Sequence, residues 1–389
     1  MKDKNILTRF KGMVSESVGG RACFLFSSYS INHLYTKLDH EIKLPIGVIT
    51  IQKNHKVKWI YVVDNKDVYD KHTLPFIEDP SLMKKIEKFT KINAEAIIRE
   101  LKSFDYRGTS SGDLFKFYKK FQEKYEDEIR VAGVFRLIDR SILPKLNKIF
   151  KGDKNRDQTI SIVSASQKLS FLLEEEIKLL EITSKLKEDK LSVDSDEGLK
   201  LINEIYDKYK FGTLGYYAEK SRSKGDYIKL IKERVKNNPH EELEKINHRL
   251  KEGQKDRNEI LKGLNSKDKV ICDLIAESSF LKDYFKYYVN QMIYYSEPLF
   301  EEIASRTGKK VKFIKDILPE EVEVLLNGKS IDEGLVEERI KHSVMIGLPN
   351  EKFMILVGKD AEEFENAYFE AKRVDEREFK GRSASPGVG

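Results

Sequence analysis

The feature that most constrains this chain is a change in apolar period near Pro80. Before it, β-branched and aromatic residues cluster in short extended runs between Ala22 and Asp64: Cys23 to Tyr29, Gly47 to Gln52, and Val57 to Val63. The last two runs alternate in part and are separated by the polar linker Lys53-Asn54-His55-Lys56, the pattern of a β-hairpin. Trp59, Tyr61 and Val63 then share one face of a strand, as a sheet core would. After Pro80 apolar residues recur every three to four positions: Leu114, Tyr118, Phe121, Tyr125 and Ile129; Leu169, Leu172, Leu173, Ile177 and Leu180; Leu199, Ile202, Tyr206 and Tyr209. Leu274, Leu281, Tyr284, Phe285, Tyr288, Met292 and Tyr295 mark one long helix, and Pro298 should kink it or start a new one. The expected fold class is mainly α with a small antiparallel β unit (α+β).

Helix punctuation sharpens the last third. Gly308 stops one helix, Pro319 with Glu320 and Glu321 opens the next, and Gly328 ends it. Ser330 and Glu333 have the spacing of a capping box. From Lys352 to Gly358 the run Phe-Met-Ile-Leu-Val reads as a buried strand. Asp360 with Glu363 can then cap a helix carrying Phe364, Ala367, Tyr368 and Ala371. The expected units are therefore a β-containing N-terminal unit at 1–78, a helical domain at 79–348, and a third unit at 349–389.

Charge and cysteine usage narrow the class. The 389 residues include 71 Lys and Arg against 65 Asp and Glu, a net charge of +6, and the two signs are too well mixed for a nucleic-acid arm. Cys23 and Cys272 sit in apolar stretches with no CxxC spacing, which fits a reducing cytoplasm. No run is long and apolar enough to cross a membrane.

Chemistry-bearing patterns are sparse. Asp153, Asn155 and Asp157 open like a calcium loop, but its sixth and twelfth positions are Gln158 and Ser164 where Gly and an acid are needed. His240, Glu244 and His248 share a helix face amid Lys and Glu, and read as surface. Gly-x-Ser-x-Gly and the phosphate-loop pattern are both absent, and Gly19-Gly20-Arg21 reads as a turn before the first strand. No catalytic residue and no metal ligand is assigned.

The final residues, Phe379-Lys380-Gly381-Arg382-Ser383-Ala384-Ser385-Pro386-Gly387-Val388-Gly389, resemble the opening of the swivelling phosphohistidine domain of the phosphoenolpyruvate synthase and pyruvate phosphate dikinase family, where a Gly-x-x-Ala-Ser-Pro-Gly stretch leads into the first strand. Phe280-Leu281-Lys282-Asp283, the stretch Leu299 to Gly308, and the stretch Ile317 to Gly328 are similar to the helical linker that precedes this domain. Glu338-Arg339 sits where such linkers often carry an Arg. The resemblance covers about Ile271 to Gly389.

The resemblance implies a multi-helix scaffold followed by the beginning of a truncated swivelling domain, with Gly381, Ala384, Ser385, Pro386 and Gly387 as the hinge and domain-opening motif. It further implies ATP or phosphoenolpyruvate and Mg²⁺ in the complete system, with ATP-grasp and phosphohistidine domains that are missing here or on another polypeptide. The family's carrier His follows the motif by some tens of residues, and none of the seven histidines here takes that role. The expected function is a non-catalytic scaffold of a phosphotransferase, inactive alone. The alternative is a non-enzymatic helical interaction or regulatory protein. Neither nucleic acid nor membrane is expected as a partner.

Overall fold

A computed structural model describes residues 13–21, 44–214, 221–349 and 351–373. The fold is mainly α-helical with a small antiparallel sheet. Strands β1 (Val14–Arg21), β2 (Gly47–Lys53) and β3 (Lys56–Val63) come first. Thirteen helices follow among the described residues: α1 (Asp67–Glu78), α2 (Ser81–Ser103), α3 (Ser111–Ile149), α4 (Arg156–Ser164), α5 (Phe171–Glu188), α6 (Asp196–Tyr209), α7 (Lys224–Val235), α8 (Pro239–Lys262), α9 (Ser266–Thr307), α10 (Val311–Lys315), α11 (Pro319–Leu326), α12 (Glu333–Lys341) and, after β4 (Ser343–Gly347) and β5 (Met354–Val357), α13 (Gly358–Arg373).

The β2–β3 hairpin turns on Asn54 and His55, both with positive φ (49° and 63°), which matches the twist of the flanking strands. Asn is among the residues that tolerate this region best. The sheet order is β1-β3-β2-β4-β5, all antiparallel. Both faces of its central strands β2, β3 and β4 are largely buried. Val48, Val57, Trp59 and Val63 join the main helical core, while Ile49, Ile51, Ile60, Val62, Val344 and Ile346 pack under Ala361, Phe364 and Tyr368 of α13. Phe364 is fully buried there, a contribution of roughly 1.5–3 kcal/mol to holding α13 down.

The main core lies where α2, α3 and α9 pack along one another, with Leu114, Phe121, Ile138 and Ile142 of α3 facing Leu274, Leu281, Met292 and Phe300 of α9. α1 lies on α3, tied by Ser141 Oγ donating to Asp70 Oδ1 at 2.5 Å and by Lys145. α5, α6 and α7 form a smaller unit around Leu179, Ile182, Ile202, Ile205, Tyr227 and Ile231.

Several local expectations change. Pro298 does not start a new helix: it stands inside the single helix α9. Met292 and Ile293 before it and Leu299, Phe300 and Ile303 after it enter the same core, and this burial outweighs the roughly 3 kcal/mol cost of an interior proline. Ser330 does not cap α12; Asp332 does, accepting from the Leu335 amide at 3.0 Å. Gly19 and Gly20 are not a turn but part of β1, paired with Lys58 and Val57. Leu172 and Leu199 are exposed, so the stripes of α5 and α6 turn inward through their neighbours instead. Gly308 ends α9 as expected, in the left-handed conformation (φ 64°) that glycine adopts without steric cost. The Cys23 to Tyr29 run lies outside the described residues.

The division expected at 348/349 falls between β4 and β5, two paired strands of one sheet. β4 is only five residues long and follows α12 directly, too short for its alternation to register against the helical pattern. The N-terminal hairpin and the C-terminal strands therefore form one layer, with α13 on its far side.

Candidate functional site

Three of the linker-like stretches, Leu299 to Gly308, Ile317 to Gly328 and Glu338-Arg339, occupy one packed block. The end of α9 buries Leu299, Phe300 and Ile303, and Ile317 and Val322 pack into the same core. Lys315 is paired with Glu297, and its ammonium lies 5.3 Å from the Phe300 ring. Arg339, 2% exposed, grips Glu321 with both terminal nitrogens, one of them at 2.9 Å from Oε2, and the same Oε2 also accepts from the Leu318 amide at 2.8 Å. One carboxylate thus starts α11 and anchors α12 to it.

The β2–β3 hairpin reaches into the same block. The Asn54 amide donates to the Ile340 carbonyl at 2.9 Å, and His55 Nδ1 lies 3.5 Å from Asp316. Beyond the sheet, Glu365 of α13 is held by Lys53 at 2.7 Å and by His342 at 2.9 Å. The chain is thereby fixed to the body from α9 through α13. Gly381, Ala384, Ser385, Pro386 and Gly387 lie outside the described residues.

The other patterns singled out by sequence resolve into local structure. Asp153 accepts from the Asn155 amide at 2.7 Å and from the Thr159 hydroxyl at 2.5 Å, fastening the start of α4. His240 and Glu244 lie 3.5 Å apart on the exposed face of α8. Among the described residues, no group of three or more His, Cys, Asp or Glu side chains is arranged to hold a metal ion. Burial drops the His72 imidazole to a pKa of about 4, so it stays neutral at physiological pH.

Two polar centres had no motif to announce them. Glu175 of α5, almost fully buried, accepts from the Tyr227 hydroxyl at 2.6 Å and pairs with Arg222. Desolvation, then the Glu175 carboxylate, pushes the Tyr227 phenol far above its ordinary range. Because the Arg222 amide also donates to the Lys210 carbonyl at 3.0 Å, the chain is clamped at the end of α6 and just before α7.

The second centre lies where this small unit meets α9. Tyr287, Tyr294 and Tyr295 of α9 are half-buried against Phe171, Phe211, Tyr206 and three lysines. The only sequence signal was spacing: Tyr287 and Tyr294 stand seven apart, and Tyr206 and Lys210 four apart, so each pair shares a helix face.

No protein-family model, no curated protein and no solved structure matches the chain.

Proposed function

We propose that this chain is the non-catalytic helical body of a phosphotransferase resembling phosphoenolpyruvate synthase, and that it positions a mobile phosphohistidine domain for phosphoryl transfer. The observation that carries this reading is the Gly381 to Gly387 sequence, placed directly after the helical block and α13. A relay that carries one imidazole between separated sites needs a rigid base, a hinge and a carrier. The described fold supports the first part. α13 is packed across the sheet and pinned through Glu365, and only residues 374–380 separate it from Gly381. Arg339, paired with Glu321, stiffens the block that resembles the family's linker.

In this reading ATP or phosphoenolpyruvate, with Mg²⁺ neutralising phosphate charge, is handled by ATP-grasp and phosphohistidine domains outside this chain. A cytoplasmic location belongs to the same reading. No described helix is long and apolar enough to cross a membrane.

The test is the in-frame coding sequence that follows codon 389. A Thr-x-Gly-Gly-x-x-Ser-His segment within some tens of codons is expected. A stop codon directly after Gly389 contradicts the reading and favours a helical interaction or regulatory protein.

A further inference from the structure

Where α2 and α9 meet the end of α6 and the start of α7, three ammonium groups and two tyrosine rings alternate in a row. Lys102 lies 4.1 Å from the Tyr295 ring centroid, and Lys210 lies 5.9 Å from the same ring. Lys210 also lies 5.2 Å from Tyr294 and 5.0 Å from Tyr206, and Lys224 stands 5.4 Å from Tyr206.

Among the described residues, opposing charge is scarce along this row. Lys210, with a side chain only 13% exposed, faces Asp207 at 3.6 Å, but Asp207 is 72% exposed and well solvated. Glu174 is engaged by Lys208 at 3.2 Å. Lys102 and Lys224 are exposed and make no ion pair among the described residues. Tyrosine faces attract the ammonium groups and so hold like charges near one another. Each neighbouring pair lies within 5.9 Å of one shared ring centroid, which leaves a mutual repulsion that a bridging anion relieves.

We infer that this row is an anion site, and that its ligand carries a chain of two or more phosphate groups. An ammonium is a compact point charge with three donors, suited to phosphate oxygens without fixed orientation. A single phosphate reaches one or two of the three lysines, whereas a phosphate chain spans neighbours in the row. Stacking of a nucleobase is not part of the recognition, because Tyr206 and Tyr295 already serve two ammonium groups each. The site is independent of the phosphohistidine reading, since it lies on the body and uses none of residues 374–389.

The test is isothermal titration of the chain with inorganic tripolyphosphate, orthophosphate and ATP at matched ionic strength. Tripolyphosphate is expected to bind at least tenfold more tightly than orthophosphate, and ATP within threefold of tripolyphosphate. The double variant Lys102→Gln/Lys224→Gln changes two exposed side chains and should weaken tripolyphosphate binding at least tenfold. The control Lys251→Gln/Lys255→Gln on exposed α8 should leave it unchanged. Absence of tripolyphosphate binding, an equal loss in the control, or unaltered affinity in the first variant overturns the site. A preference for ATP beyond tenfold overturns the exclusion of base stacking.

Discussion

Asn93 of α2 donates its side-chain amide to Glu128 Oε1 of α3 at 2.8 Å, in a place where Glu128 has no solvent exposure at all. The same Asn93 nitrogen also reaches the Lys124 carbonyl at 3.0 Å, while Glu128 Oε2 has no hydrogen-bond partner among the described residues. Burial raises the Glu128 carboxyl well above its ordinary value of 4.5, against the Asn93 hydrogen bond, and the nearby Asp127 charge raises it further. The folded protein therefore holds a proton that the unfolded chain releases.

Stability linked to Glu128 is thus complete below pH 4.5 and declines as pH rises from there toward the folded-state value, by up to about 1.4 kcal/mol per pH unit. Glu128→Gln removes this titration. Denaturant unfolding of both proteins across the acid-to-alkaline range should show the variant gaining relative stability as pH rises. A difference between them that is independent of pH would contradict the assignment.

The Arg339–Glu321 pair makes a second prediction. Removing one partner of a buried ion pair strands the other, so Arg339→Ala should lower stability by about 3 kcal/mol or more. Glu321→Gln should cost less, because the amide oxygen still accepts from the Leu318 amide or from Arg339. Urea unfolding checks both; a loss below about 1 kcal/mol for Arg339→Ala would show the pair to be ornamental.

Cys272 is fully buried in α9, and desolvation pushes its thiol up to about 11, despite the neighbouring Arg257 charge. The thiolate that reacts with a disulfide reagent is scarce at neutral pH. In a Cys23→Ser background, labelling of Cys272 should follow the unfolding transition in urea. Full labelling of the native protein within minutes would contradict this packing.

The local parts of this fold were legible because they depend on neighbours in sequence. Asn54-His55 between two alternating runs announced a hairpin, Gly308 a helix end, and Pro319 with Glu321 a helix start. What was hidden is non-local. β4 pairs with β2 across most of the chain length, and nothing in either segment names its partner. For the same reason α13 could not be assigned to the far face of the sheet.

Period alone also misplaced burial on α9. Tyr284 and Tyr295 follow the apolar stripe yet lie at its edge, half-exposed, where the small unit and α2 leave room for lysines. Glu128 and Glu175 were invisible for the opposite reason: in sequence each is one acid among many on a charged helix. The motif from Gly381 to Gly387 remains a sequence observation, since it lies outside the described residues.

The most direct test of the proposed role is to map acid-labile phosphate on the product of the complete gene after incubation with ATP or phosphoenolpyruvate and Mg²⁺. The account predicts label on a histidine that follows Gly387, and none on His33, His40, His55, His72, His240, His248 or His342. Label on any of those seven, or no histidine label with either donor, would contradict it.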